Sequence, residues 1–182
     1  MGTPSTSLIV STFQQKWCAP AVFSSISNQR IKEALEVVVC DDGSSDNTFP
    51  LIAEWAARRN VNVRYIWQPD GGFRLSRSRN NAIRCAQGEV LLFIDGDTWI
   101  HPDFLEDHLS VHSGPEILGC GRRQKIVVEP GSDPVIVELA LHLLTEKPIA
   151  KLLFRRNGYD RRGPGWRAWV AILASRPAKI YG

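Results

Sequence analysis

Two acidic pairs attract attention because each follows directly on a run of apolar residues. Asp41-Asp42 closes Val37-Val38-Val39-Cys40, and Asp95-Gly96-Asp97 closes Val90-Leu91-Leu92-Phe93-Ile94. The pair Asp95 and Asp97, one residue apart, can hold a hard divalent cation against substrate phosphates, since Mg²⁺ takes one or two carboxylates plus phosphate oxygens. An ionised carboxylate is also acceptor-only, which suits it to meet an N–H donor on a ligand. Asp and Gly are equally the residues of polar turns, so either pair alone also fits a turn that ends a buried strand. What chemistry they support depends on the elements that bring them together.

Those elements read as an alternation. Residues 8–12 predict a short strand ending in the hydroxyls of Ser11 and Thr12. Residues 20–28 predict a helix, with Pro20 in its first turn and Val22, Phe23 and Ile26 at helical spacing. A second strand over 36–40 runs into the turn formers of residues 43–47. A helix over 48–59 follows, with Leu51, Ile52, Trp55 and Ala56 on one face and Arg58 and Arg59 near the negative end of its dipole. A third strand spans 61–67. The Pro- and Gly-containing loop 68–74 leads into a basic helix over 75–87, closed by Gly88. Residues 90–94 then predict a strand buried on both faces, with Gly96 allowing a sharp turn between the acids. His101-Pro102-Asp103 opens another helix, with Pro102 in its first turn, reaching about residue 112. Such an order builds an α/β fold, a mostly parallel sheet flanked by helices, with ligands bound beyond the carboxyl ends of the strands.

The remaining third is less patterned. Residues 118–128 look extended but are broken by Gly119-Cys120-Gly121. Residues 135–144 and 147–154 are apolar enough for helices, and residues 166–182 show no decisive period. At 182 residues with a net charge of +3, the composition fits one globular domain and gives no nucleic-acid footprint. The four cysteines never pair as Cys-x-x-Cys, which argues against zinc and predicts free thiols in the cytoplasm. No apolar run is long enough for a membrane span, and the start of the chain lacks a secretory layout.

Thr12-Phe13, Asp41-Asp42-Gly43-Ser44, Gly72-Phe73-Arg74, Arg79-Asn80 and Asp95-Gly96-Asp97 follow one another in an order that resembles family 2 glycosyltransferases. The resemblance covers roughly residues 8–125. The stretches QPDGGFRLSRSRN and GEVLLFIDGDTWIHPDF are similar to bacterial members that build polysaccharides or surface glycans.

The resemblance implies a Rossmann-like, A-type glycosyltransferase fold and a nucleotide sugar, UDP-linked, as donor. Thr12 and Phe13 would hold the base, and Asp42, or its neighbour Asp41, would accept from the uracil N–H. Arg74 and Arg79 would lie near the nucleotide, where guanidinium forks suit phosphate oxygens. Asp95 would meet the ribose and metal, and Asp97 the metal directly, as the Asp-x-Asp motif for Mn²⁺ or Mg²⁺. Expected partners are a UDP-sugar and a glycan acceptor, with peripheral membrane association open. Residues 1–128 would form the nucleotide-sugar-binding domain, and residues 129–182 would lead toward an absent acceptor-binding half. No acidic motif after Asp97 matches the family's general base, so a non-catalytic nucleotide-sugar-binding module is the alternative. A nucleotidyltransferase is a third reading, without a Gly-rich phosphate loop to support it.

Plainer roles compete at several positions. Phe13 could be core, and Asp46 fits a turn or cap. Arg77, Arg84 and Arg122-Arg123 read as solvated charges, His101 and His108 as structural, and Cys40 and Cys85 as small buried residues.

Overall fold

The computed structural model describes residues 5–31, 34–59, 61–111, 122–128 and 168–174. The alternation folds as β1 (Thr6–Thr12), α1 (Ala19–Ser27), β2 (Leu35–Asp41), α2 (Thr48–Arg59), β3 (Val63–Trp67), α3 (Leu75–Cys85) and β4 (Val90–Asp95). The four strands form a parallel sheet in the order β3-β2-β1-β4. The chain therefore walks outward from β1 to β3, and α3 carries it back to the far side of β1. With right-handed crossovers, that reversal places α3 on the face opposite α1 and α2.

The packing follows. Leu8, Val10, Val37, Val39, Leu92 and Ile94 meet Val22, Phe23 and Ile26 of α1 and Ile52 of α2, while Ile9, Val38 and Cys40 meet Ala82 of α3. Alternate residues of a strand point to opposite faces, so the middles of β1 (Leu8 to Val10) and β2 (Val37 to Cys40) are apolar at successive positions. Burying each Leu or Ile contributes about 1.5–3 kcal/mol.

Three elements depart from expectation. Among the described strands β4 lies at an edge, so Leu92 and Ile94 are buried while Phe93 is 41% exposed. The basic helix stops at Cys85 because Gln87 and Gly88 are captured elsewhere. Their N–H groups donate to Glu36 Oε1 (2.5 Å) and Ser7 Oγ (2.8 Å). Gly88 is not a helix cap, since a Cβ there would lie 2.4 Å from the Ser7 nitrogen. The helix after the acids, α4 (Phe104–Val111), begins two residues beyond Pro102. Pro102 instead sits in the preceding turn, and its carbonyl accepts from the Arg30 N–H at 2.9 Å.

A second sheet has the order β5-β7-β6, where β5 is Thr98–Ile100, β6 is Arg122–Val128 and β7 is Ala168–Ala174. β7 runs parallel to β5 and antiparallel to β6. Neither β5 nor β7 is evident from periodicity, and β7 brings a segment from beyond residue 128 into a sheet with β6. The helices expected at 135–144 and 147–154 lie outside the described residues.

Candidate active site

Strand order reverses at β1, and in open α/β sheets the crevice at such a point receives the ligand. The parallel register sets Thr12 beside Asp41 and Ser11 beside Asp95. Neighbouring strands lie about 4.8 Å apart, so the two acid-bearing ends flank β1 at roughly 10 Å from one another.

The turn after β4 rests directly on β1. The Gly96 N–H donates to the Ser11 carbonyl at 2.6 Å. A Cβ at this position would lie 2.1 Å from Gln15 Oε1 and 2.8 Å from the Ser11 carbonyl oxygen. Glycine is required here by close approach rather than by backbone conformation, since the left-handed glycines among the described residues are Gly43 and Gly72.

The neighbouring acids at the end of β2 have different work. Asp41 turns inward: its Oδ1 accepts from the N–H groups of Gly43 (3.1 Å) and Ser44 (2.8 Å), and the Tyr65 hydroxyl donates to Oδ2. Burial, then the bond to Asp41, holds the Tyr65 phenol well above its usual range. Asp41 anchors the turn. Asp42 lines a cavity of about 360 Å³ together with Ser11, Thr12, Phe13, Gln15, Asp70, Gly72, Phe73 and Leu75. Its Oδ1 accepts from Gln68 Nε2 (2.5 Å) and its Oδ2 from the Arg74 backbone N–H (2.7 Å). Each carboxylate oxygen has about two acceptor directions, so Asp42 is positioned by the protein and retains capacity for a ligand. Gly43 locks this arrangement, because a Cβ there would lie 2.5 Å from the Asp70 nitrogen.

Both arginines are engaged within the protein. Arg79, on α3, places Nη2 2.6 Å from Asp95 Oδ1 and donates from Nε to Ser11 Oγ at 2.9 Å. It ties Asp95 to the end of β1. The Arg74 guanidinium donates to the Pro69 carbonyl, and its Nε is buried without a partner. Neither side chain lines the cavity. Arg74 and Arg79, expected near the nucleotide, flank the end of β1 through these contacts: Arg79 orients Asp95, and the Arg74 backbone N–H holds Asp42.

Several other positions resolve by burial. Phe13 is 46% exposed and forms cavity wall rather than core, and Phe73 stands at the rim, 90% exposed. Asp46 caps α2, accepting from the backbone N–H groups of Thr48 and Lys16, both at 3.0 Å. Burial pushes its pKa up, but bonds from Thr48 and Lys16 prevail and hold it below the usual carboxylate range. Cys40 is buried as expected, but Cys85 is exposed. His108 packs on Phe104 with ring centroids 4.5 Å apart, and His101 Nδ1 accepts from the Asp103 N–H at 3.2 Å. Gln15, Asp70 and Leu75 join the cavity without having been singled out from sequence. The available signal was position, because each lies just past a strand's carboxyl end or in the loop that follows.

Asp95 ends β4 and Asp97 follows one residue later, and no cluster of three His, Cys, Asp or Glu side chains occurs among the described residues. Two carboxylates fit a cation that completes its coordination with phosphate oxygens and waters. The Cys18 thiol donates to the Gly96 carbonyl at 3.3 Å between the two acids, and burial first, then the negative charge of Asp97, pushes it far up. Among the described residues no helix is long and apolar enough to cross a membrane.

This geometry has counterparts in known proteins. Over 160 residues the chain is 29% identical to the validoxylamine A glucosyltransferase of Streptomyces hygroscopicus subsp. jinggangensis, covering 85% of this chain and 36% of that one. The S. aureus TarS 1-349 structure in complex with UDP-GlcNAc aligns with a TM-score of 0.51 and 29% identity, over 58% of this chain and 30% of that one. The mannosyltransferase PcManGT from Pyrobaculum calidifontis shares the fold, with a TM-score of 0.57 and 24% identity over 63% of this chain and 34% of that one. The chain spans about a third or less of the length of the curated relatives it matches. Residues 7–164 match glycosyl transferase family 2, and the chain belongs to that family.

Proposed function

We propose that this chain carries the donor site of an enzyme that transfers a sugar from a UDP-sugar, with a divalent cation, to a glycan acceptor. One observation carries the reading: the Asp42-lined cavity and the Asp95-Gly96-Asp97 turn flank the β1 terminus on its two sides. A nucleoside diphosphate is a base and a charged tail separated by a sugar, and the site offers an acceptor-rich cavity beside a pair of acids. The TarS neighbour bound to UDP-GlcNAc supports the donor class.

Asp42 is held as an acceptor on both oxygens, which suits the imide N–H of uracil and opposes a base edge that presents acceptors there. Phe13 supplies an aromatic wall, and Thr12 helps place Asp42, because its carbonyl accepts the Asp42 N–H at 3.0 Å. Asp97 and Asp95 would hold Mn²⁺ or Mg²⁺, with Arg79 keeping Asp95 in place. Such a cation neutralises charge that builds on a departing diphosphate. Residues 1–128 hold these groups. The free thiols Cys18, Cys40 and Cys85 fit work in the cytoplasm.

Isothermal titration with UDP, with and without Mn²⁺, tests the reading. Binding should require the metal and weaken at least tenfold in Asp97→Ala, a loss of about 1.4 kcal/mol or more. Metal-independent binding, or binding indifferent to Asp97→Ala, would overturn it.

A further inference from the structure

The side chain of Gln15 is left without a hydrogen-bond partner at its amide oxygen, unlike its neighbour's. The main chain of Gln15 is fully used: its N–H donates to Thr48 Oγ1 at 3.2 Å, and its carbonyl accepts from the N–H groups of Cys18 and Ala19, both at 3.1 Å. The carboxamide of Gln14 is also occupied, accepting from the Asp46 N–H at 3.2 Å and donating to Ser45 Oγ at 2.9 Å. The Gln15 carboxamide differs, because its Oε1 is buried without a hydrogen-bond partner. A buried, unmatched amide oxygen is a standing cost to the fold. It is also the only side-chain amide among the described residues that line the cavity.

Its position gives that amide a role. Gln15 shares the cavity wall with Asp42 at one end and reaches over Gly96, between Asp95 and Asp97, at the other. On the donor-site reading above, the base lies toward Asp42 and the diphosphate toward Asp97. The group between base and diphosphate is ribose. A ribose hydroxyl both donates and accepts, so it can receive an N–H of Nε2 or, after a half-turn of the amide, donate to Oε1.

We propose that Gln15 hydrogen-bonds a ribose hydroxyl of the bound nucleotide and thereby selects ribonucleotide over deoxyribonucleotide donors. The inference rests on the donor-site reading and adds a residue that discriminates the sugar of the nucleotide.

The test is isothermal titration of the 182-residue chain with UDP, 2′-deoxy-UDP and 3′-deoxy-UDP in saturating Mn²⁺, compared with Gln15→Met. Methionine keeps the length of the side chain without its polar head. One deoxy analogue should bind the wild-type chain about 5- to 20-fold more weakly than UDP, and that ratio should shrink to about twofold in Gln15→Met. Gln15→Ala, expected to give the same collapse, serves as a second variant, with thermal melting to check that each is folded. Equal binding of all three nucleotides by the wild-type chain, or discrimination that persists in both variants, would overturn the inference and leave the donor-site reading standing. Failure of the wild-type chain to bind UDP would overturn both.

Discussion

Gly96→Ala tests the contact on which the acidic turn depends. The added methyl would lie 2.1 Å from Gln15 Oε1, 2.8 Å from the Ser11 carbonyl oxygen and 3.2 Å from Thr12 Cβ. The first neighbour is the end of a flexible side chain and can withdraw. The second is backbone in β1, which is paired with β2 on one side and β4 on the other, so the turn itself must retreat. Non-bonded heavy atoms prefer about 3.5–4.0 Å, which sets the retreat at several tenths of an ångström or more. Overpacking of this kind costs about 1–3 kcal/mol, and weakening the Gly96 N–H bond to Ser11 adds about 1 kcal/mol. The expected destabilisation is therefore about 2–4 kcal/mol by urea denaturation. Combining it with Gln15→Ala removes only the flexible contact, so less than half of the loss should return. Asp97 moves with the turn, and misplacement by about 1 Å can cost a hundredfold in a reaction. A calorimetric titration with UDP and Mn²⁺ should accordingly show at least tenfold weaker binding. A loss of stability below about 0.5 kcal/mol, the size of an ordinary surface substitution, would refute the close-approach argument.

Asp42→Asn places an amide donor against either the Gln68 amide or the Arg74 N–H. Gln68 cannot simply flip, because its Oε1 already accepts from Asn81 Nδ2 at 3.1 Å, so a loss of about 1–3 kcal/mol is expected in chemical denaturation. Tyr65→Phe should alter stability in alkali. The phenol's pKa is raised by folding, so its contribution is fully present below the unfolded value of about 10 and is lost as pH rises above it. Denaturation midpoints measured from pH 8 to 11 should fall less steeply in the variant, and parallel curves would contradict the assignment. Ile52→Ala, at a side chain 1% exposed between α2 and the sheet, should cost about 2–5 kcal/mol. A melting temperature unchanged by that substitution would show that α2 is not packed there.

Much of the donor-side architecture can be read from local pattern, because the pattern is set by burial. Both faces of β1 and β2 are covered, and their middle residues are apolar at successive positions without regard to face. The order of elements dictates a parallel sheet, and the parallel sheet dictates that all strand ends carrying Thr12, Asp42 and Asp95 lie on one edge. The acids were visible for the same reason: a charged residue directly after a buried strand has few places to be except the sheet's carboxyl edge.

Only the tertiary structure decides which polar group meets which. Asp41 and Asp42 are chemically identical neighbours, and their separate tasks follow from Tyr65 and Gln68, which arrive from β3 and the loop after it. Arg79 carries the right chemistry for phosphate, and only the crossover to the opposite face sets it against Asp95. Gly96 and Gly88 look like turn and cap glycines, but both are set by how closely another strand's backbone approaches. The same holds for Gln15, whose amide gains significance only beside Gly96 and Asp42. Periodicity reports which face of an element is buried, and long-range approach between loops leaves no period to read.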